Sequence, residues 1–117
     1  MAIKFGSLLA TIAAGASLSD VVTLSKSNVI AIQIPAVWTS ASITFSVSAD
    51  GVTYSDLRDQ AGNEFTIPAV AGKYFGGLDV RVMGSFNYMR IRSGTSASPV
   101  NQTSGAVLNC VLQNAIN

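Results

Sequence analysis

Histidine is absent from this chain, and cysteine occurs only once. Without histidine there is no Ser–His or Cys–His nucleophilic pair, no imidazole metal ligand and no imidazole general base. The single cysteine, Cys110, excludes an intrachain disulfide and a cysteine-cluster metal site. Because it lies in the apolar run AVLNCVLQ, we expect a buried and inert thiol rather than a reactive one.

Charge is also scarce. Of the 117 residues only 11% are charged and the net charge is +1, whereas an ordinary soluble domain has about 25% charged residues. The hydrophobic share is 49% and the mean hydropathy is +0.43, yet no run approaches the roughly 18 apolar residues of a membrane span. This balance favours neither a nucleic-acid nor a membrane partner. A chain with so few charges is poorly solvated as a free monomer, so we expect an assembly to cover part of its surface.

The six carboxylates do not form a recognisable catalytic or metal-binding pattern. A glycosidase needs two carboxylates facing each other across a cleft, and Asp56 and Asp59 are more typical of a solvated turn. Together with Asp50 they could surround a calcium ion, but the DxDxDG spacing is missing. We therefore predict no enzymatic activity, no catalytic residue, no cofactor and no metal.

The clearest structural signal is residues 43–57, ITFSVSADGVTYSDL. Its first part alternates apolar and polar residues, as in a half-buried strand, and Asp50-Gly51 supplies a turn. A second strand follows, in which Val52 is expected to make apolar contacts. Further strands are predicted at 29–34 and 78–83, and at FNYMRIR, residues 86–92. About eight short strands with Gly, Pro and Ser between them predict an all-β fold, an antiparallel jelly-roll-like β-sandwich.

The chain is expected to consist of an N-terminal arm followed by one domain. Residues 1–17 are expected to be an N-terminal arm, with at best a short helix over 8–14, and residues 18–117 a single β-sandwich domain. A secretory signal is disfavoured because its positive region would be Lys4 alone and Gly6-Ser7 breaks the apolar stretch. The polar segment 93–105 is expected either to cap one end of the sandwich or to be functional.

Two groups of side chains are candidates for contacts with other molecules. For a protein interface we single out residues of the arm and of one strand face, where Arg and Tyr are typical interface residues: Lys4, Phe5, Leu8, Tyr88, Arg90 and Arg92. For Trp38 two roles are open: a plug at the end of the core with its indole N–H on a loop carbonyl, or an exposed platform for a sugar. A carbohydrate site would use Trp38, Tyr54 and Tyr74.

Part of this sequence resembles the discoidin or galactose-binding-like jelly roll. The resemblance is carried by ITFSVSADGVTYSDL, with its Ser-x-Asp-Gly turn before an aromatic residue, and by the later strand FNYMRIR. In that family the pattern is structural and does not itself bind sugar. It therefore implies a jelly-roll fold and no binding residue.

More of the chain is similar to small virion proteins of tailed bacteriophages. The similar segments are SDVVTL (19–24), AIQIPAVWTSASITFSVSADGVTYSDL (31–57), YMRIRSGT (88–95) and PVNQ (99–102). This resemblance implies a capsid decoration, cement or head-fibre protein, commonly a trimer on the capsid lattice. It does not identify individual contact residues.

These observations together lead to one expectation and one alternative. We expect a non-enzymatic virion protein that is made in the bacterial host cytoplasm and then binds the outer capsid surface and stabilises it. Its partners would be the major capsid protein or another virion protein and further copies of itself, with a homotrimer favoured. The alternative is a carbohydrate-binding module of a phage tail or head fibre.

Overall fold

A computed structural model describes the backbone of residues 2–25 and 27–116 and the side chains of residues 6–25 and 27–113. This part of the chain contains eight strands and one short helix. In chain order they are β1 Ala2–Ile12, β2 Val22–Thr23, β3 Asn28–Gln33, β4 Ile43–Ser48, β5 Ser55–Asp56, β6 Tyr74–Phe75, α1 Val80–Met83, β7 Tyr88–Ser93 and β8 Ala106–Ile116.

The strands form two four-stranded sheets. Sheet A has the order β1-β8-β3-β6, and sheet B has the order β2-β7-β4-β5. Neighbours are antiparallel throughout. Strand 1 therefore pairs with 8, 2 with 7, 3 with 6 and 4 with 5, as in one long hairpin rolled into a sandwich. This arrangement is a jelly roll, and it confirms the predicted all-β sandwich of eight strands.

Residues 2–12, expected to belong to an arm with a short helix at best, are strand β1 of sheet A. Its eleven residues pair with β8 without a register shift. Ala10 and Ile12 are fully buried while Leu9 and Thr11 are exposed, which is the period-two pattern of a strand. The helix expectation over 8–14 is therefore wrong for residues 8–12. The adjacent Leu8 and Leu9 obscure the alternation in the sequence.

The predicted strand over 78–83 is also wrong, because Val80–Met83 is a helical turn. Asp79 is its N-cap, and its Oδ1 accepts a hydrogen bond of 2.9 Å from the backbone N–H of Arg81. Such a cap satisfies one of the N–H groups that a helix start leaves free. The Leu78 N–H donates to the Ile30 carbonyl at 3.0 Å, so this turn is attached beside β3.

The predicted hairpin at 43–57 is present as β4 and β5, with a wider connection than a two-residue turn. Its pairs are Ser46 with Asp56 and Val47 with Ser55. In the connection, Asp50 Oδ1 accepts hydrogen bonds from the N–H groups of Val52 (2.8 Å) and Thr53 (2.9 Å), and these bonds help to lower the pKa of Asp50. Val52 is 82% exposed, so its expected apolar contact is wrong.

The hydrophobic core lies between the two sheets. Its largest fully buried side chain is Phe45, whose ring centroid is 6.1 Å from that of Phe65. Trp38 closes one end of the core at 9% exposure, and its Nε1 donates to the Ala41 carbonyl at 3.2 Å. Of the two roles open for Trp38, the structure has the core plug.

Cys110 lies in the middle of β8 and is fully buried. Burial, with a contribution from the Asp20 carboxylate, raises the pKa of its thiol to about 12. Since only the thiolate is nucleophilic, we expect the folded protein to be inert to a thiol reagent at pH 8. In a urea series, the reaction should follow the unfolding transition measured by tryptophan fluorescence. Rapid labelling without denaturant would contradict the burial of this thiol.

Candidate functional site

The outer face of sheet B carries the predicted contact residues of β7. Along this strand Met89, Ile91 and Ser93 are buried, whereas Tyr88, Arg90 and Arg92 are only partly buried. The alternation follows from the pleat, which directs successive side chains to opposite faces. The predicted division of this strand into two faces is confirmed.

Arg92 is engaged within the chain. Its Nη2 lies 2.8 Å from Asp56 Oδ1, and its Nη1 lies 3.3 Å from Glu64 Oε2 and 3.3 Å from Thr44 Oγ1. The Arg92 side chain is only 13% exposed. A planar guanidinium suits several oxygen partners at once, so Arg92 joins β7, β4 and the segment 55–64. These contacts leave little of Arg92 accessible to another molecule.

The same group of charges fixes the start of the segment 93–105. Glu64 Oε2 accepts a hydrogen bond of 3.1 Å from the Ser96 backbone N–H. The Ser96 hydroxyl, followed by the Arg92 guanidinium, lowers the pKa of Asp56 below its ordinary value of 3.8. Asp56 was expected in a solvated turn, but it is a member of this ion-pair network.

Tyr88 and Arg90 lie on the same face of β7 as Arg92 but do not belong to its ion-pair network. A Cβ atom built on Gly51 would lie 3.3 Å from ring carbons of Tyr88, so the 49–54 connection folds closely over this tyrosine. The Nε of Arg90 is buried without a hydrogen-bond partner in the described part of the chain. Within residues 6–25 and 27–113, no carboxylate forms an ion pair with Arg90. Arg90 is therefore a half-buried cation without a carboxylate partner among the described residues.

Gln102 is a fully buried polar side chain that joins separate loops. Its Oε1 accepts from the Thr39 N–H at 2.8 Å, and its Nε2 donates to the Thr39 carbonyl at 3.0 Å and to Ser93 Oγ at 2.7 Å. Its backbone N–H and C=O bond to Ala16 and Gly15. No local sequence pattern singles out Gln102, because Thr39, with which it forms two hydrogen bonds, lies 63 residues away.

The segment 93–105 is held down along its length. Gly94 has φ of 90°, and a Cβ there would lie 2.5 Å from the Ser98 carbonyl oxygen, so only glycine fits this position. The Val100 N–H donates to the Ser93 carbonyl at 2.8 Å. With Gln102 at its far end, the segment caps the sandwich, which was one of its two expected roles.

The remaining candidate residues do not converge on one site. The indole of Trp38 is buried. Tyr74 is 58% exposed on β6 of sheet A, while Tyr54 is partly buried in the connection between two strands of sheet B. Leu8 packs partly against the core, and the side chains of Lys4 and Phe5 lie outside the described residues. No single aromatic platform for a sugar results.

Acidic and metal-ligating side chains are dispersed as well. Among the described residues, no group of three or more His, Cys, Asp or Glu side chains is placed to hold a metal ion. No helix in that part of the chain is long and apolar enough to cross a membrane.

Replacing Gln102 by alanine should destabilise the fold. The change leaves the Thr39 backbone groups and the Ser93 hydroxyl without partners, and each unsatisfied buried group costs about 1–3 kcal/mol. We expect Gln102→Ala to lower the free energy of unfolding by about 2–4 kcal/mol, measured by urea denaturation. The exposed Gln60→Ala is the matched control and should change it by less than about 0.5 kcal/mol. Equal effects of the two variants would contradict the role of Gln102.

The Asp56 contact should appear as a pH dependence of stability. Its folded pKa is lower than its unfolded pKa, so its stabilisation is complete above about pH 4 and is lost as the pH falls through the folded value. We expect Asp56→Asn to cost about 1 kcal/mol at pH 6, a difference that shrinks towards pH 2. Asp59→Asn, at a carboxylate with no ion pair among the described residues, is the control. A difference for Asp56→Asn that stays constant from pH 6 to pH 2 would contradict the ion pair.

Comparisons with known proteins bear on the fold. No protein-family model matches the chain, and no curated protein matches it significantly. Among solved structures, the crystal structure of SPBc2 prophage-derived protein YomS is similar, with a TM-score of 0.62. The alignment covers 97% of this chain and 96% of that chain at 12% sequence identity. At this identity the likeness concerns the fold, and the whole of this jelly roll shares it with YomS.

Proposed function

We propose that this chain is a non-enzymatic bacteriophage virion protein that binds the outer surface of the capsid and stabilises it. The observation that carries the proposal is the likeness of the complete fold to a prophage-derived protein. It agrees with the virion-protein resemblance of segments such as 31–57 and 88–95. Fold likeness alone does not determine function, so the surface chemistry of the chain must support the proposal independently.

The surface supports a binding role more than a catalytic one. The described residues contain no facing carboxylate pair engaged across a cleft, and Asp56 and Glu64 are both paired with Arg92. Arg90, in contrast, is a cation on the outer face of sheet B that has no carboxylate partner among the described residues. A charged group of this kind contributes to the orientation and specificity of a protein contact. We assign Arg90 and Tyr88 to the contact with the major capsid protein.

The mechanism would be preferential binding to the assembled lattice. A ligand that binds only one state stabilises it by about 2.7 kcal/mol when its concentration is 100 times its Kd. A contact of about 800 Å² per partner is typical of a specific complex. Copies that bridge neighbouring capsid subunits would oppose the loss of any one subunit. We propose a homo-oligomer, with a trimer favoured by the virion-protein resemblance, and no nucleic-acid or membrane partner.

The carbohydrate-binding alternative receives less support. Trp38, its strongest candidate, is a core residue that donates to the Ala41 carbonyl. Tyr54 and Tyr74 remain, but Tyr54 lies in the connection between β4 and β5 of sheet B, whereas Tyr74 lies on β6 of sheet A. Sugar sites rely on a platform of neighbouring aromatic and polar groups, and this pair does not supply one.

The proposal predicts binding to capsids. Purified protein should co-sediment with capsids of a phage from which its gene has been deleted, and gold-labelled protein should decorate the heads in electron micrographs. Arg90→Glu should raise the Kd at least tenfold, because it replaces attraction by repulsion. Arg81→Glu makes the same charge change at an exposed side chain of α1 and should leave the Kd within about twofold.

Two results would contradict this function, and a third would contradict only the assigned contact face. The first is no co-sedimentation at about 10 μM protein, which is above the Kd expected of a specific contact. The second is labelling of tails or fibres instead of heads. The third is equal binding by the Arg90→Glu and Arg81→Glu variants, which would remove the assigned contact face while leaving capsid binding itself intact.

A further inference from the structure

The outer face of sheet A is uncharged among its described side chains and exposes two large apolar side chains. On β1 and β8 the buried residues alternate with Leu9, Thr11, Val107, Asn109 and Val111, which point away from the core. Leu9 is 62% exposed and Val107 is 47% exposed. They lie diagonally across adjacent strands, because Leu9 pairs with Asn109 and Thr11 pairs with Val107. Two large apolar side chains are thus exposed side by side on a rigid sheet.

This face carries no charge among its described side chains. β3 and β6 extend it with the paired residues Gln33 and Tyr74, and Ser7 and Gln113 complete it at the other end. All are uncharged. Burying such a surface requires no desolvation of an ion, which is the costly part of burying polar surface. The outer face of sheet B, with Arg90 and Arg92, has the opposite character.

A polar atom within this face lacks a partner. Asn109 Oδ1 is buried and accepts no hydrogen bond from the described residues. It lies beside a groove of about 350 Å³ that Gln33, Pro35 and Val107 also line. A buried acceptor without a donor costs about 1–3 kcal/mol. The carboxamide N–H groups of Gln33, Asn109 and Gln113 on a second copy of the same face are suitable donors.

The edge of the same sheet is open beside this face. Thr11 at the end of β1 uses its outward backbone groups on Asp20, with N–H to Oδ1 at 3.0 Å and C=O to the Asp20 N–H at 3.1 Å. Residues two apart in an antiparallel ladder direct these groups to the same side. The equivalent groups of Leu9 and Ser7 therefore face outward, without a partner in the described chain.

Folded proteins usually protect a long edge strand with proline, charges or a bulge. β1 has no proline, one charged residue at position 4 and no register shift against β8. An edge of this kind is suited to being covered in the native assembly. The adjoining face and edge form one surface, and we call it the sheet A surface.

We infer that the sheet A surface is where copies of this chain contact one another, with Leu9 and Val107 at its centre. The inference rests on the proposed function only for the existence of a homo-oligomer, and it names the surface that joins the copies. A second copy is the occupant because a neutral face with carboxamide donors and acceptors complements itself. Strand spacings of about 4.8 Å and a rise of about 3.4 Å per residue give the face an area on the order of 500 Å², similar in scale to one side of a specific interface.

The test is the mass of the complete protein in solution. Native mass spectrometry and light scattering should find an oligomer for the wild type at about 10 μM, well above the Kd of a stable interface. Leu9→Lys and Val107→Lys should raise the dissociation constant of that oligomer at least tenfold, since each places a charge in the interface. Val52→Lys, at a side chain that is 82% exposed in the β4–β5 connection, should leave it unchanged.

Thermal unfolding of each monomer separates misfolding from dissociation. Because Leu9 and Val107 are exposed, their lysine variants should unfold as cooperatively as the Val52→Lys variant. If a lysine variant does not fold, Leu9→Thr, which keeps β propensity, replaces it and should weaken the oligomer in the same direction.

The outcomes distinguish this inference from the proposed function. A monomeric wild type at 100 μM, checked together with the capsid-binding assay, would overturn the inference even if capsid binding is observed. An oligomer that Leu9→Lys and Val107→Lys weaken no more than Val52→Lys does would overturn the inference and leave the proposed homo-oligomer in place. A selective loss of the oligomer in both lysine variants supports the sheet A surface.

Discussion

The pairing of the first strand with the last is the contact on which the rest of this molecule depends. β1 and β8 come from opposite ends of the sequence and join in eleven consecutive antiparallel pairs. This ladder closes the jelly roll, because the pairs 2 with 7, 3 with 6 and 4 with 5 lie inside it. Of its described inward side chains, Ala10, Ile12, Ala106, Leu108 and Cys110 are fully buried. Such a distant pairing carries a large loop-closure entropy, which the burial of this apolar face offsets.

Polar groups inside the molecule are used mainly to fasten connections to this frame. Arg92 attaches the segment 55–64 to the outer face of sheet B, and Gln102 attaches the 93–105 segment to Thr39 and Ser93. Buried polar networks of this kind stabilise a fold only when nearly all of their members have hydrogen-bond partners. The outer side chains of β4, Thr44, Ser46 and Ser48, are consequently buried, whereas Leu9 and Val107 on the outer face of sheet A stay exposed. The asymmetry between the two outer faces follows from where these polar side chains occur in the sequence.

Local sequence patterns predicted individual strands and turns. The alternation in residues 88–93 revealed the strand and the face that it buries, and the Asp50-Gly51 turn was recognisable. The alternation in residues 43–48 revealed the strand, but not that Thr44, Ser46 and Ser48 on its polar face are buried as well. Two elements were misinterpreted. In β1 the adjacent Leu8 and Leu9 obscure the alternation. The helix α1 is a single turn in which Val80 and Val82 follow the period of a strand, although Asp79 before it was an available cap signal. The ion pairs of Arg92 and the contact of Gln102 with Thr39 join residues 28 to 63 positions apart, so no local pattern reveals them. The exposure of Leu9 and Val107 on sheet A could not be predicted from the sequence either, because it depends on which connections cross which face.

The few charged side chains of this chain are unevenly distributed between the two outer faces. Of the described charged side chains, Arg90, Arg92, Asp56 and Glu64 lie on sheet B or on the segment that covers it, and the outer side chains of sheet A are neutral. A jelly roll as such implies no activity, so the function of this chain must lie in such surface differences. A neutral face associates with its own copy at no cost in ion desolvation, whereas a cation on the opposite sheet selects a partner with a carboxylate. Under the proposed function, two faces of different chemistry would let one small domain join copies through one sheet and engage a larger assembly through the other, because neither contact would compete for the residues of the other.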